Sequence, residues 1–585
     1  MSLEILIVLL PFIGAVLTFF AGNRFSFWVG YAFGLALFSS VVLLFWNYTN
    51  PITVSNEWIA FGNFSIPLGL YIDKLSLVML LIATGLGFLD IHFSKSYMAE
   101  EPEQRRYHSK VLFFIGGMVL LVTGGDMISV FFGWELMGLA SYLLISFWHT
   151  KSAPADAGQQ AFLYTRFGDI FLFASIGLLF YFGGSLNLID INNTEMSKDV
   201  AFVIAVFIFI ASIGKSGQFP LFPWLMNAME GPTTVSALIH GATMVNSGIY
   251  IVARLFDFYS YAEALPVVLA IASLSAFIGA TSAIVQREMK KALAYSTMSH
   301  LSLAFAGLGA GLLSAGVGHL INHAVFKALL FLGFGAVILI AHHQKDVWKL
   351  GGIGKHTPIL AGLIAIAGLS LSGVPPFGGF HSKDSVLFGA DEVLVTIAGL
   401  LSVVYISRIW ILAFTGEQRE KIEIKKPSPF WILLPLGIMA TATTLMGIFY
   451  EDILHFLNYH SEHPPVEFQI VAVASILFLG YATFKFYSNL EMIHKLYSQP
   501  FLNIVHKVLY NGYYVQAFIT FVSKNIVVNG ISKALFWSDR KVVDGAVNKT
   551  VPISQNIFVN FTKVESLNGF WIFGIAIIIL FTIFK

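Results

Sequence analysis

The stretch Ala211-Ser-Ile-Gly-Lys215-Ser-Gly-Gln-Phe-Pro220-Leu-Phe-Pro223-Trp224 sets a lysine, two glycines and two prolines inside an otherwise apolar helix. A lysine at the centre of a bilayer costs roughly 2.5 to 3.5 kcal/mol on insertion scales, so a function is the default reading for one found there. Pro220 and Pro223 each remove a backbone donor and push the preceding residue out of the helical region, so the helix is predicted to break here. Broken backbone at membrane depth persists only where protein or water satisfies it, which is how midplane ion sites are built. Lys215 is therefore expected on an ion path.

Outward from this stretch, the composition is that of a chain surrounded by lipid. Of 585 residues 57% are hydrophobic, 11% are charged and 56 are Phe, with a mean hydropathy of +0.77. That excludes a soluble core fed by ordinary amphipathic helices and predicts an all-α polytopic membrane protein. Spans need about 20 apolar residues each. Sixteen are expected, near 3–21, 27–49, 70–92, 110–125, 127–148, 161–184, 200–218 continuing to 230, 233–255, 262–286, 291–312, 316–341, 357–376 continuing to 391, 392–415, 428–450, 466–488 and 568–584. The amino terminus carries Glu4 rather than a basic n-region and reads as a retained span.

Loop charge alternates. Arg24, the Lys95 to Lys110 group, Lys151, Arg287 to Lys291, Lys345 to Lys355 and Arg419 to Lys426 mark every second loop, and acidic residues mark the loops between. Lys and Arg are kept on the cytoplasmic side of short loops, so both termini are expected on the outer side. The net charge of +1 is sorted by loop and says nothing about partners. There are no cysteines, so iron–sulfur chemistry, held mainly by thiolates, belongs to another chain.

Several further residues carry candidate chemistry. Glu135 falls in mid-span, and a buried carboxylate needs a cation or a raised proton affinity. Lys215 is the expected partner, with a purely structural ion pair as the alternative. Arg166 and Asp169, three apart, either neutralise each other on one helix face or leave Asp169 to tune the Glu–Lys pair. His240 follows the Gly231-Pro232 turn, and an imidazole can relay protons at neutral pH. His319, His323 and Lys327 recur every four residues on one face. Bis-histidine haem ligation needs opposing helices, so a proton wire suits this row better. Ser296, Ser299 and His300 could line a hydrated path. Leu371-Ser-Gly-Val-Pro375-Pro376-Phe-Gly-Gly-Phe-His381-Ser-Lys383-Asp384 is a second Gly/Pro-broken helix followed by a lysine.

Two broken helices in corresponding positions point to an internal repeat. The chain divides into 1–109 with three spans, 110–256 and 257–416 as two inverted five-helix units, 417–489 with two further spans, 490–567, and 568–585 as the last span. The 490–567 region mixes apolar and charged residues and reads as a lateral amphipathic segment on the cytoplasmic side. Asp73, Lys74, Asp90 and His92 read as snorkelling boundary residues. Arg287, Lys290, Lys291, Arg408 and the Arg419–Lys426 loop read as interfacial.

The runs Trp134-Glu-Leu-Met-Gly-Leu-Ala-Ser-Tyr142, Gly214-Lys-Ser-Gly-Gln-Phe-Pro220, Gly231-Pro-Thr-Thr-Val-Ser-Ala-Leu-Ile-His240, Leu293-Ala-Tyr-Ser-Thr-Met-Ser299, His323-Ala-Val-Phe-Lys-Ala-Leu-Leu330 and Gly373-Val-Pro-Pro-Phe-Gly-Gly-Phe-His-Ser-Lys-Asp384 resemble the antiporter-like subunits of respiratory complex I and its relatives. The tail, with Val543-Asp-Gly-Ala-Val-Asn548, resembles the distal L-type subunit and its lateral helix. The resemblance implies a proton-translocating subunit in the membrane arm of a complex I-like NADH/quinone (or other donor) oxidoreductase, in an energy-transducing membrane of the prokaryotic plasma-membrane type. By that analogy Glu135 and Lys215 form a switching ion pair and Asp169 modulates it. His240, His319, His323 and Lys327 carry the proton, and Lys383 with Asp384 forms the far gate. The implied partners are M/N-type and small membrane-arm subunits and the lipid bilayer, with no nucleic acid. Flavin, iron–sulfur clusters and quinone are expected in partner subunits and no cofactor in this chain. Departures from the family pattern are Asn227, Phe222, His300 in place of glutamine and His381 in place of phenylalanine. An Mrp-type Na+/H+ antiporter subunit shares these motifs and is the alternative, with a carbon-dioxide uptake subunit as a third reading.

Overall fold

The computed structural model describes residues 2–552 apart from 62–63, 461–462, 490–492, 494, 496–497 and 549. The expected last span, 568–584, lies outside the described residues, as does the end of the expected lateral segment. The chain forms two compact units, Met1–Tyr513 and Tyr514–Lys585.

In lipid every backbone group needs a partner within the protein, which a helix supplies along its own length, and the first unit is a bundle of helices. Before the first break come α1 (Leu3–Phe20), α2 (Gly22–Trp46), α3 (Lys74–Tyr97), α4 (Gln104–Thr123), α5 (Met127–Ile145), α6 (Ser152–Leu178), α7 (Leu188–Asn192) and α8 (Lys198–Ser216). Then follow α9 (Pro223–Asn227), α10 (Thr233–Ala237), α11 (Met244–Arg254), α12 (Phe256–Tyr261), α13 (Leu265–Val285), α14 (Met289–Gly309), α15 (Leu313–Ile340), α16 (Ile353–His356) and α17 (Pro358–Ser372). After the second break come α18 (Gly378–Ala390), α19 (Val393–Phe414), α20 (Leu434–Ile448), α21 (Tyr450–Phe456) and α22 (Val466–Tyr487).

Among the described residues, 12 helices are long and apolar enough to cross a membrane. Three expected spans fall outside that set for physical reasons. The first turns of α4 carry Arg105, Arg106 and Lys110, α14 opens with Lys290 and Lys291, and α17 is 15 residues long before its break. Between α2 and α3 the chain also forms an antiparallel hairpin, β1 (Ile52–Phe61) and β2 (Phe64–Ile72), which the helical reading did not anticipate. It is tied to the bundle at Gly69, whose amide donates to Asp126 Oδ2 at 2.7 Å. Asp126 also caps α5, accepting from the amides of Ile128 and Ser129 at 2.9 and 2.8 Å.

α15 and the helical run from Thr233 to Arg254 are buried along nearly their whole lengths and form the centre. The periphery is apolar, with Phe20, Trp46, Phe173 and Phe478 exposed as a lipid-facing surface requires. Three expectations of interfacial charge are corrected here. Asp90 and His92 do not snorkel; both are buried, and His92 bonds the carbonyl of Phe430 at 2.9 Å. Arg408 is also buried, its guanidinium 5.6 Å from the Trp348 ring and 5.7 Å from the Tyr487 ring. His92 and Arg408 are covered by segments distant in sequence, at positions that polarity alone would send to water.

At the edge of the bundle Asp73 caps α3, accepting from the Ser76 amide at 2.9 Å. It also receives Arg254 in a two-pronged contact, 2.6 Å to Oδ2 and 2.8 Å to Oδ1. Burial raises the Asp73 carboxyl, but the Arg254 charge and the hydrogen bonds from Arg254 and Ser76 outweigh it and hold it below its usual range.

Beyond α22, Pro500–Tyr510 is helical, and Tyr510 accepts from Gln286 Nε2 through its carbonyl at 3.1 Å. In the second unit, residues 515–548 are helical, with π-helical stretches at Val522–Ser532 and Asp539–Val543 and mostly exposed side chains.

Candidate functional site

The site is built on the two breaks. α8 ends at Gly217, which takes the left-handed conformation at φ 59° that favours glycine. The groups freed there find side-chain and backbone partners. Ser216 Oγ donates to the Val245 carbonyl at 2.8 Å, Trp224 Nε1 to the Gly214 carbonyl at 2.9 Å, and the Phe219 amide to Ser275 Oγ at 3.0 Å. A break that is satisfied in this way can sit inside the bundle. Gly373 ends α17 in the same left-handed region, at φ 86°.

Lys215 lies on the last turn of α8 and is 0% exposed. Its Nζ is 3.5 Å from Asp169 Oδ2 on α6 and 5.5 Å from the Trp134 ring on α5. Trp134 Nε1 donates to the other Asp169 oxygen at 2.6 Å, so the carboxylate is held between an indole and an ammonium. Gly138 makes the room, because a Cβ there would meet Lys215 Nζ at 2.5 Å.

Glu135 does not pair with Lys215, and Arg166 does not pair with Asp169. Arg166 Nη1 is instead 2.5 Å from Glu135 Oε2, with side-chain exposures of 39% and 18%. α6 and α8 approach closely at Gly168, where an added Cβ would lie 3.0 Å from the Ala211 backbone. Next to it Asp169 sits between Lys215 of α8 and Trp134 of α5, while Arg166 meets Glu135 of α5.

His240 sits in a π-helical turn, Leu238–Ala242, between α10 and α11. Wide turns of this kind are frequent at functional sites. Thr243 Oγ1 donates to the Leu238 carbonyl at 2.8 Å and Asn246 Nδ2 to the Gly241 carbonyl at 2.6 Å, satisfying the freed backbone. The ring rests 4.6 Å from Phe331, and neither nitrogen has a hydrogen-bond partner among the described residues.

On α15 the residues His319, His323 and Lys327 share one face and are all 0% exposed. Lys327 Nζ donates to Ser296 Oγ on α14 in a short contact. His319 contacts His300 of α14 at 3.1 Å and Ser382 Oγ of α18 at 3.1 Å. His323 has no hydrogen-bond partner among the described residues. Lys383, on α18, reaches back to the end of α17, donating to the Ser372 carbonyl at 2.6 Å and to Ser402 Oγ of α19 at 2.9 Å. A cation at orphaned C-terminal carbonyls is where the helix dipole favours it. Both Asp384 oxygens are buried without a hydrogen-bond partner among the described residues, and no Lys383–Asp384 ion pair is formed there.

The structure thus gathers Asp169 with Lys215, Lys327 with Ser296, and His319 with the turn before Lys383. It leaves Glu135, His240, His323 and Asp384 outside direct contact with the other candidates. Residues outside the candidate set also take part. Trp134, Gly138 and Ser402 shape the lysine sites. Lys290 is buried rather than interfacial, donating to the carbonyls of Met229 at 2.7 Å and Gly231 at 2.8 Å and so closing the backbone after the first break. A lysine opening an apolar helix opposite a Gly-Pro turn is the sequence signal for that role. What the whole arrangement can do is hold and pass protons, since its members are lysines, imidazoles, hydroxyls and carboxylates in a buried row.

Residues 58–108 match the family described as NADH-Ubiquinone oxidoreductase (complex I), chain 5 N-terminus, and residues 124–408 match that described as NADH:quinone oxidoreductase/Mrp antiporter, TM. The NAD(P)H-quinone oxidoreductase chain 5 of Picosynechococcus sp. is 34% identical over 560 residues, covering 85% of this chain and 84% of the relative. The NADH-quinone oxidoreductase subunit L of Escherichia coli is 34% identical over 473 residues, 76% of each chain, and that of Pseudomonas aeruginosa is 35% identical over 473 residues, also 76% of each. The solved Mrp complex from Dietzia sp. contains a chain of the same fold, with a TM-score of 0.74 and 21% identity; the match covers 100% of this chain and 63% of that one.

Proposed function

The chain belongs to the subunit L (chain 5) family of NADH-quinone oxidoreductases, and from that premise we propose that it is one proton-translocating unit in the membrane arm of a complex I-like assembly. The observation that carries the proposal is a fully buried lysine, at a broken helix, within ion-pair distance of a buried carboxylate. Asp169 and Glu135 flank Lys215, the first at 3.5 Å and the second one helical turn before Gly138, where the ammonium lies. The ammonium is the switch: moving it between Asp169 and Glu135, with Arg166 releasing Glu135 as the ammonium arrives and pairing with it again as the ammonium leaves, changes the field felt by His240 and the α15 row. A charge displaced in a low-dielectric interior acts strongly on its neighbours. His240, His319, His323 and Lys327 then carry the proton toward Lys383 and Asp384.

In this reading residues 110–256 and 257–416 are two inverted units, supported by the two glycine-ended breaks. The described helical stretches between 500 and 548 are read as part of a lateral segment along neighbouring subunits, and both termini are assigned to the outer side. The redox step, with its flavin, iron–sulfur clusters and quinone, belongs to partner subunits, and a chain without cysteine fits that division. A second reading, a cation/proton antiporter subunit, shares the fold; the chain spans 63% of the Mrp chain against 84% of the Picosynechococcus relative, which favours the pump.

The test is proton pumping by the intact complex in sealed vesicles supplied with an electron donor and a quinone-like acceptor. Lys215→Ala is expected to lower redox-linked pumping by about tenfold or more, because it removes the buried charge whose displacement acts on the row. Absence of redox-linked pumping in the wild type, with Lys215-dependent proton movement under an imposed sodium gradient, would replace the pump by the antiporter.

A further inference from the structure

His300 stands on α14 where the family pattern leads to glutamine, and the structure places it in the gap between His323 and His319. Its ring lies 5.3 Å from His319 and 6.3 Å from His323, tilted by 15° and 25°. Phe326 walls the cluster, with its ring 5.5 Å from His300, 6.4 Å from His319 and 5.5 Å from His323. All three histidines are buried.

One self-consistent set of donors and acceptors joins the three side chains. When the Ser382 hydroxyl donates to the Gly378 carbonyl at 3.2 Å, its oxygen accepts from His319 Nδ1 at 3.1 Å. In that set His319 carries its proton on Nδ1 and presents a lone pair at Nε2, and His300 Nδ1–H donates to that lone pair across 3.1 Å. The remaining nitrogen, His300 Nε2, is then an unprotonated acceptor, buried and without a partner among the described residues.

We infer that His300 is an additional proton-carrying group of this chain, linking the Lys327–His323 side of the row to His319, Ser382 and Lys383. The inference rests on the proton-translocation reading above. A proton arriving from the Lys327–His323 side bonds to His300 Nε2. The Nδ1–H bond breaks as that proton passes to His319 Nε2, the His319 Nδ1–H bond breaks toward Ser382 Oγ, and the Ser382 O–H bond breaks in turn, releasing its proton to a water on the Lys383 side. One proton enters and one leaves, with no change of oxidation state. Ser296, which binds Lys327, lies one turn before His300 on the same helix. α14 and α15 thus alternate as carriers.

The experiment compares wild type, His300→Gln, His300→Asn and Lys215→Ala in the intact complex, measuring protons moved per donor oxidised in sealed vesicles and scoring each variant per assembled complex. A glutamine or asparagine amide can donate where Nδ1–H does but cannot take up and pass on a proton. Because the family pattern carries glutamine at this position, the loss is expected to be partial: His300→Gln and His300→Asn should lower proton translocation by about threefold. Wild-type pumping in both, beside a Lys215→Ala variant that has lost it, overturns the role of His300 and leaves the pump standing. Wild-type pumping in Lys215→Ala overturns the pump reading itself, and this inference with it.

Discussion

Lys215 and Lys383 are both buried lysines beside a glycine-ended helix break, but the chain neutralises them differently. Lys215 precedes its break and faces the Asp169 carboxylate at 3.5 Å, which Trp134 holds in place. Lys383 follows its break and is held by neutral oxygens, the Ser372 carbonyl and the Ser402 hydroxyl. Lys327 resembles the second case, bonded to a serine. A charge facing a carboxylate can stay charged while it moves between partners. A charge facing only dipoles in a dry interior is costly, and it lowers that cost by giving up its proton. On the proposed proton-translocation reading, the difference gives the first cluster charge as its working quantity and the second cluster protons.

The sharpest way to break this comparison, after Lys215→Ala, is to remove the two carboxylates separately. Asp169→Asn removes the carboxylate within ion-pair distance of the ammonium and should lower pumping by roughly tenfold, whereas Glu135→Gln, at a partly exposed pair with Arg166, should cost about threefold. Pumping rates per assembled complex decide the order, and the reverse order would place the switch on Glu135. Gly138→Ala tests the geometry, since its Cβ must displace an ammonium 2.5 Å away. A loss of about threefold in pumping, with assembly intact, is expected from that shift. The smallest effect on transport is expected at Asp73→Asn. Breaking one partner of a largely buried pair should cost about 3 kcal/mol of stability, seen as a lower unfolding temperature. Pumping per assembled complex should stay at wild type, because Arg254 and Asp73 lie outside the polar row.

Much of this was legible in the sequence for reasons of covalent chemistry. Pro220 and Pro376 cannot continue a helix with its bonds intact, and Lys215 and Lys383 beside them are too polar to be accidental. The four-residue spacing of His319, His323 and Lys327 put them on one face, as found. Partner choice was not legible. Glu135 and Asp169 are both within reach of Lys215 by span order, and the choice depends on how α5, α6 and α8 pack in three dimensions, with α6 and α8 in close approach at Gly168 and Ala211. Nor was the burial of Arg408, whose covering rings, Trp348 and Tyr487, lie far away in sequence. Nor is the β1–β2 hairpin legible, because it lies between two spans, where hydropathy predicts only a connecting loop.

The central claim, that Lys215 acts through its charge and Lys383 through its proton, is tested most directly by replacing each with arginine and measuring redox-linked proton pumping in sealed vesicles. Arginine keeps the charge and does not release its proton, so Lys215→Arg should retain about a third or more of wild-type pumping while Lys383→Arg should lose about tenfold. Wild-type pumping in Lys383→Arg, or an equal loss in both variants, would contradict the account.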